Sequence, residues 1–170
     1  MKKGDYMTQF RAMRRQRQQI TDEQCVEILS HATSGVLALM GDDGYPYAVP
    51  LSYAYHDGCL IFHSAQAGHK VDAVRRCPKA SFCVVEKDEV HPAAYTTYYR
   101  SVIAFGHIEV VEDDEQKRLF LHILGDRFYP NHADALSHEV EKGLARVLVI
   151  RMTIEHLTGK EAIELVHHAE

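Results

Sequence analysis

Between Cys59 and Lys70 the chain sets an imidazole, a hydroxyl, a glycine and a cation close together, as His63, Ser64, Gly68 and Lys70. They follow an apolar run that leaves the turn sequence His56-Asp57-Gly58 and reads as a strand. They also open a helix-like segment from Val71 to Arg76. A strand therefore delivers all four to one edge. Free N–H groups at a helix start, together with positive charge, suit a phosphate or a carboxylate. The stretch reads as a cofactor phosphate site, and the alternative for the same residues is an ordinary strand-to-helix turn with a solvated lysine.

The elements that must hold this stretch come from one chain of 170 residues, long enough to bury a real core in a single domain. The expected division is a basic arm over residues 1–20, a single domain over 21–166 and a tail over 167–170. A formal charge of −5, with no concentrated basic face after residue 17, excludes nucleic acid as the main partner. No apolar run has the length of a signal peptide or a membrane span, so a soluble, cytoplasmic protein is expected, with no membrane partner. Cys25, Cys59, Cys77 and Cys83 show no CxxC spacing and are expected to be reduced and mostly buried. The twelve histidines include no HxxxH or HExxH pair within a predicted helix, so no metal site is expected. His167-His168 reads as a solvated tail.

Thr21-Asp22-Glu23-Gln24 matches a capping box and starts a helix over 22–32 with Cys25, Ile28, Leu29 and Ala32 on one face. Strands are expected over 35–40, 45–55 and 59–64, forming an antiparallel meander with a hairpin turn at Asp42-Asp43-Gly44. Pro46 and Pro50 lie inside the second of these, so it must be an edge, be bulged, or leave backbone free for a ligand. A helix over 69–77 with Val71 and Val74 inward leads to a fourth strand over 80–86, and residues 87–97 read as a loop. The longest strand, 98–111, is apolar on both faces near its middle, as in a barrel wall that also packs against helices or a second subunit. An amphipathic helix follows Asp113, with Leu119, Phe120, Ile123 and Leu124 inward and Gly125 permitting termination. A short helix over 133–142 and a last strand over 144–156 complete the pattern. Six strands with flanking helices, without regular βαβ alternation, predict a small, mainly antiparallel β-barrel.

Four pieces in this order carry a family resemblance: Tyr45-Pro46-Tyr47-Ala48-Val49-Pro50-Leu51; Phe62-His63-Ser64-Ala65 with Gly68-His69-Lys70; Tyr99-Arg100-Ser101-Val102-Ile103-Ala104-Phe105-Gly106; and Leu157-Thr158-Gly159-Lys160. The chain resembles the FMN-binding split-barrel proteins related to pyridoxamine 5'-phosphate oxidase, and among them the Nim-type nitroimidazole-resistance branch. The resemblance implies a six-stranded antiparallel split barrel that forms a homodimer with flavin sites at the subunit interface. It implies that Val49, Pro50, Leu51 and Ser52 line the isoalloxazine ring through backbone atoms. Ser64, Gly68, His69 and Lys70 would hold the phosphate, with Ala65 also at the cofactor. Tyr99, Arg100 and Ser101 would contribute from around the interface. His63 matches a histidine with an active-site role in Nim-type proteins, so it is the catalytic candidate; its other reading is a strand-end histidine satisfied by backbone. The chain has no tryptophan and lacks the arginine-rich C-terminal signature of the oxidases proper, which speaks against pyridoxamine phosphate as substrate.

The implied function is an FMN-dependent oxidoreductase that reduces a small electron-poor substrate such as a nitroimidazole or another nitroaromatic, with FMN ahead of FAD or haem as cofactor. A flavin- or haem-binding carrier or sensor without turnover is the alternative, and a cofactor-free dimeric scaffold is a third reading. The cofactor carries the electrons in such chemistry, so positioning and proton supply are what the protein must provide.

Overall fold

The computed structural model describes residues 10–166. The expected tail at 167–170, with His167-His168, and the first nine residues of the expected arm lie outside them. Eight strands form one antiparallel sheet: β1 Gln19–Ile20, β2 Ser34–Met40, β3 Pro46–Ser52, β4 Ala54–His56, β5 Cys59–Ala65, β6 Lys79–His91, β7 Thr96–Val110 and β8 Val147–Glu161. Their order is β3-β2-β6-β7-β8-β5-β4, with β1 added to β8. The helices are α1 Asp22–His31, α2 His69–Arg76, α3 Asp114–Phe128, α4 Ala133–Gly143 and α5 Ile163–Val166. None of these helices is long and apolar enough to cross a membrane.

The barrel is split because the sheet path has two free ends, β3 and β4. The expected meander is broken for that reason. The segment predicted as one strand over 45–55 divides at Tyr53, which turns its side chain fully into the core. β3 stays with β2, while β4 makes a hairpin with β5, and β5 pairs with β8 instead of β3. The two strands beyond the expected six are the short β1 and β4. Residues 87–97 also differ from the expected loop: β6 and β7 remain paired out to His91 and Thr96, and the turn is confined to a 3-10 segment, Pro92–Ala94. That stretch lacks apolar periodicity because it is an exposed ribbon, in which backbone pairing alone holds the strands.

β8 runs on to Glu161, past its expected end at His156, and carries β1 on its last residues through Gln19↔Lys160 and Ile20↔Gly159. The end of the expected arm is therefore part of the barrel. Ile20 belongs to the core, and the Gln18 amide is buried and donates to the Glu161 carbonyl at 3.0 Å.

Inside the barrel, Tyr53, Phe62 and Phe82 meet ring to ring, with Tyr53 and Phe82 4.8 Å apart edge to face. Val102, Ala104 and Ile108 of β7 join them, on the face anticipated from the alternation. A second cluster lies outside the barrel wall, where Phe120 and Leu124 of α3 cover Ile61 and Val149. This explains the continuous apolar run of β5: Leu60 and Phe62 point into the barrel while Ile61 points under α3. Leu119, expected inward, is exposed. α3 also continues one turn past Gly125, whose lack of a side chain admits Leu136 of α4 instead of ending the helix.

α1 begins as its capping box requires. The Gln24 N–H donates to Thr21 Oγ1 at 3.3 Å, and the Thr21 N–H donates to Gln24 Oε1 at 2.9 Å. Its far end is closed by side chains distant in sequence. The Tyr53 hydroxyl donates to the Leu29 carbonyl at 2.7 Å, and Arg127 donates to the carbonyls of His31 and Ala32. Cys25 is fully buried, and burial with Asp22 and Glu23 nearby pushes its thiol up to about 11. Cys59, Cys77 and Cys83 are only half-buried, contrary to expectation, because each lies near a strand or helix end or on the outer sheet face.

Candidate functional site

The free edge of β3 is the natural starting point. In the β2–β3 hairpin the Gly41 N–H donates to the Tyr45 carbonyl at 2.9 Å, so hydrogen-bonded pairs recur at Leu39/Tyr47, Leu37/Val49 and Gly35/Leu51. Pro46 and Pro50 fall on the alternate positions, where a missing N–H costs no ladder bond. Val49 and Leu51 therefore spend their backbone on β2 and pack their side chains on the core. Pro50 and Ser52, together with Ala48, turn backbone groups outward along the edge. A flat ligand lying against β3 would meet these three.

One end of this edge meets β5. Ser52 and His63 share a cleft of about 380 Å³ with Leu124, Gly125, Phe128 and Tyr129. The alternation of β5 explains His63: it is on the same face as Ile61 but two residues further, beside the end of α3 instead of beneath it, so it is exposed in the cleft that α3 walls. Ser64 is buried on the opposite face, and Ala65 is exposed.

At the other end of the edge stands the start of α2. Gly68 caps it at φ 130°, ψ 168°, a conformation that favours glycine, and the space where a side chain would go is open to 4 Å. No side chain caps this helix, so its first N–H groups have no intrahelical acceptor. His69 is engaged on both sides. Its ring stacks on Tyr47 at 4.1 Å, and its Nε2 lies 3.4 Å from Asp42, which also accepts from Arg76 at 2.6 Å. The Arg76 bond holds the Asp42 carboxyl below the usual carboxylate range. What His69 offers an anion is therefore its backbone N–H. Lys70 is half-buried, and that burial lowers its ammonium below the ordinary 10.5. Among the described residues it has no ion-pair partner, and beside an uncapped helix start it offers the charge and the N–H donors that an anion would need.

The predicted residues on β7 are elsewhere. Tyr99 and Ser101 line a separate groove of about 580 Å³ with Arg14, Arg15, Ile103 and Lys160, the Lys160 ammonium lying 5.0 Å over the Tyr99 ring. Ser101 pairs with Lys160 near the C-terminal end of β8, whereas Ser64 pairs with Leu148 near its N-terminal end. Arg100 points to a third cleft, with Glu27 and His31, and is neutralised there. It donates to Glu161 at 2.8 and 2.9 Å and has Glu86 at 3.7 Å. One chain thus brings together Pro50, Ser52, His63, Gly68 and Lys70 along the split, and holds Tyr99, Arg100 and Ser101 apart from them.

Sequence reasoning missed Tyr47, Asp42 and Arg76, which fix His69, and the α3 residues that wall His63. The stacked aromatic in the Tyr45–Leu51 motif was a usable signal for the first group. The helix α3 was itself legible after Asp113, but no local signal places it against His63. Among the described residues no group of three His, Cys, Asp or Glu side chains is arranged to hold a metal.

The profile of the family described as pyridoxamine 5'-phosphate oxidase matches residues 21–161. Among solved structures, the chain is similar to a FAD and haem binding protein from Mycobacterium smegmatis, with 26% identity and a TM-score of 0.75 over 86% of this chain and 73% of that one. It is similar to a FAD-binding protein from Mesorhizobium loti, with 27% identity and a TM-score of 0.59 over 85% and 96% of the two chains. A candidate 5-nitroimidazole antibiotic resistance protein from Bacteroides thetaiotaomicron shares the fold at 23% identity, with a TM-score of 0.71 over 84% and 86%. No curated protein matches the chain.

Proposed function

The chain belongs to the pyridoxamine 5'-phosphate oxidase family, and we propose that it binds FMN along the split of its barrel and reduces a small electron-poor substrate, a nitroaromatic or nitroimidazole in the first instance. The observation that carries this reading is Lys70: a half-buried cation with no counter-ion among the described residues, beside the uncapped start of α2 and the stacked pair His69–Tyr47. The fit to a flavin is chemical. A phosphate finds N–H donors and a charge at Gly68–Lys70, and a flat ring finds the unpaired backbone of Pro50 and Ser52. The similarity to flavin-binding structures at 26% and 27% identity supports the same class of ligand.

A bound flavin supplies the electron transfer. Conversion of a nitro group to nitroso takes two electrons and two protons and releases water. We assign one of those protons to His63, whose exposed imidazole faces the cleft at the end of the β3 edge. Ser52, in the same cleft, can hold a substrate oxygen by hydrogen bonding, and Leu124 and Phe128 keep that side of the cleft dry.

The site is assigned to a homodimer interface. Tyr99 and Ser101 line a groove that does not include Gly68 or Lys70 of their own chain, so their contact with cofactor would come from a second copy. The outer sheet face offers a surface for it: Pro50, Val36, Cys83 and Ile103 stand in register across four strands. Val36 and Ile103 in that row are 40% and 36% exposed.

A carrier or sensor without turnover is the second reading, favoured by the similarity to a FAD and haem binding protein. The absorption spectrum of the purified protein separates the cases. Flavin bands, followed by anaerobic reoxidation of the reduced protein by a nitroimidazole, support the enzyme. Flavin bands or a Soret band without reoxidation support the carrier. A colourless protein that takes up neither cofactor refutes both.

A further inference from the structure

The His63 cleft does not end at Tyr129. A second cavity of about 450 Å³ adjoins it and shares Gly125 and Tyr129 as its wall, continuing between α3 and α4 past Ala135 and Leu136. Gly125 lets Leu136 lie directly against the α3 backbone, and beside it Ala135 leaves open space, exposed at the cavity with only a methyl group. Tyr129 stands at the junction. Its N–H is tied to the Gly125 carbonyl at 2.7 Å, while its side chain is 71% exposed and so free to adjust.

The charge of this path is opposite in character to the Gly68–Lys70 cradle. Among the described residues neither cavity is lined by a lysine or an arginine; the titratable groups besides Tyr129 are His63 in the inner cavity and, in the outer one, His132 and the one carboxylate, Glu139. An anionic substrate entering here would lose hydration without meeting a permanent cation, and would pass Glu139. A neutral apolar group would lose only unfavourable contact with water. Volumes of this size accept an aromatic ring with a substituent.

We propose that the α3–α4 pair forms a substrate-selecting channel that admits neutral, apolar substituents to His63 and rejects anionic ones. This rests on the reading of the split as the reaction site, and it specifies which electron-poor compounds reach it.

The test uses the full chain with its bound cofactor and two probes, 1-butyl-4-nitrobenzene and 4-nitrobenzoate, titrated calorimetrically. The expected result is at least about tenfold tighter binding of the butyl compound, the scale on which apolar pockets discriminate. Glu139→Lys, at an exposed position, should narrow that ratio about tenfold or more by replacing the repelling carboxylate with a partner for the probe's own, with flavin absorbance per subunit unchanged. Equal affinity for the two probes, binding of neither, or a ratio unmoved by Glu139→Lys would overturn the channel. Discrimination that persists in a protein lacking flavin or turnover keeps the channel and removes the flavoenzyme reading, so the two failures are distinct.

Discussion

Lys70 and His63 carry separate parts of the proposed chemistry and separate predictions. Removing the charge-assisted contact with Lys70→Ala should cost roughly 1.5–3 kcal/mol of flavin binding, about ten- to a hundredfold in Kd, with the circular dichroism unchanged. Titration of FMN into both proteins checks it, and equal affinities would sink the phosphate assignment. Burial lowers the Lys70 ammonium in the folded, ligand-free protein, while the unfolded chain keeps the ordinary 10.5. Between those two values the unfolded state binds more protons, so ligand-free stability should rise with pH through that window, and the cost of burying the charge is present at all lower pH. Flavin binding should run the other way, weakening as pH climbs and the cation is lost. Lys70→Arg, protonated throughout, should flatten that profile; parallel profiles for lysine and arginine would count against Lys70 as the phosphate ligand. His63→Ala should retain flavin and lose roughly 10²–10⁴ in turnover, the range of general acid catalysis. Wild-type turnover per bound flavin would remove His63 from the mechanism.

At the level of elements, α1 and the β7–β8 pair show how distant parts of the chain complete a local structure. The Leu29 carbonyl, at the end of α1, is met by the buried Tyr53 hydroxyl, whose ionisation burial pushes well upward. Tyr53→Phe should therefore destabilise the protein by about 1–3 kcal/mol, the range for an orphaned buried acceptor, seen as a lower urea midpoint with an unchanged slope. An unaltered midpoint would mean that water replaces the hydroxyl. Gly106 is a harsher case. It sits at the β7–β8 irregularity, where a Cβ would run into the Thr153 carbonyl, which is backbone and cannot give way. No side-chain adjustment can rescue Gly106→Ala.

For the whole molecule the decisive question is assembly. In the proposed reading, a split barrel with an apolar row across its outer face, and with its Tyr99–Ser101 motif in a groove separate from Gly68–Lys70, would complete its flavin site only with a second copy. Sedimentation at micromolar concentration should give a dimer, and Ile103→Lys, which places a charge in that row without entering the barrel, should give a folded monomer with much weaker flavin binding. A wild-type monomer that binds flavin stoichiometrically would refute the shared site.

The sequence by itself determined what depends on neighbours a few residues away. The capping box at Thr21, the turns at Asp43-Gly44 and Asp57-Gly58, the buried face of β7 and the helix start at Gly68 were all legible, because helix starts, positive φ and strand alternation are local physics. The family was legible in four short motifs spread through the domain, now matched over residues 21–161. Pairing across the fold was not. Whether β3 adjoins β5 or leaves a split depends on Tyr53 entering the core, and the extent of β6 and β7 beyond their apolar middle depends on backbone bonds that leave no pattern in side chains. The same holds at the candidate site: the ion pair of Arg100 with Glu161 joins β7 to β8, and His63 gained its apolar wall from α3, about sixty residues later in the chain. Such partners are chosen by long-range packing and charge neutralisation, and only the tertiary structure decides them.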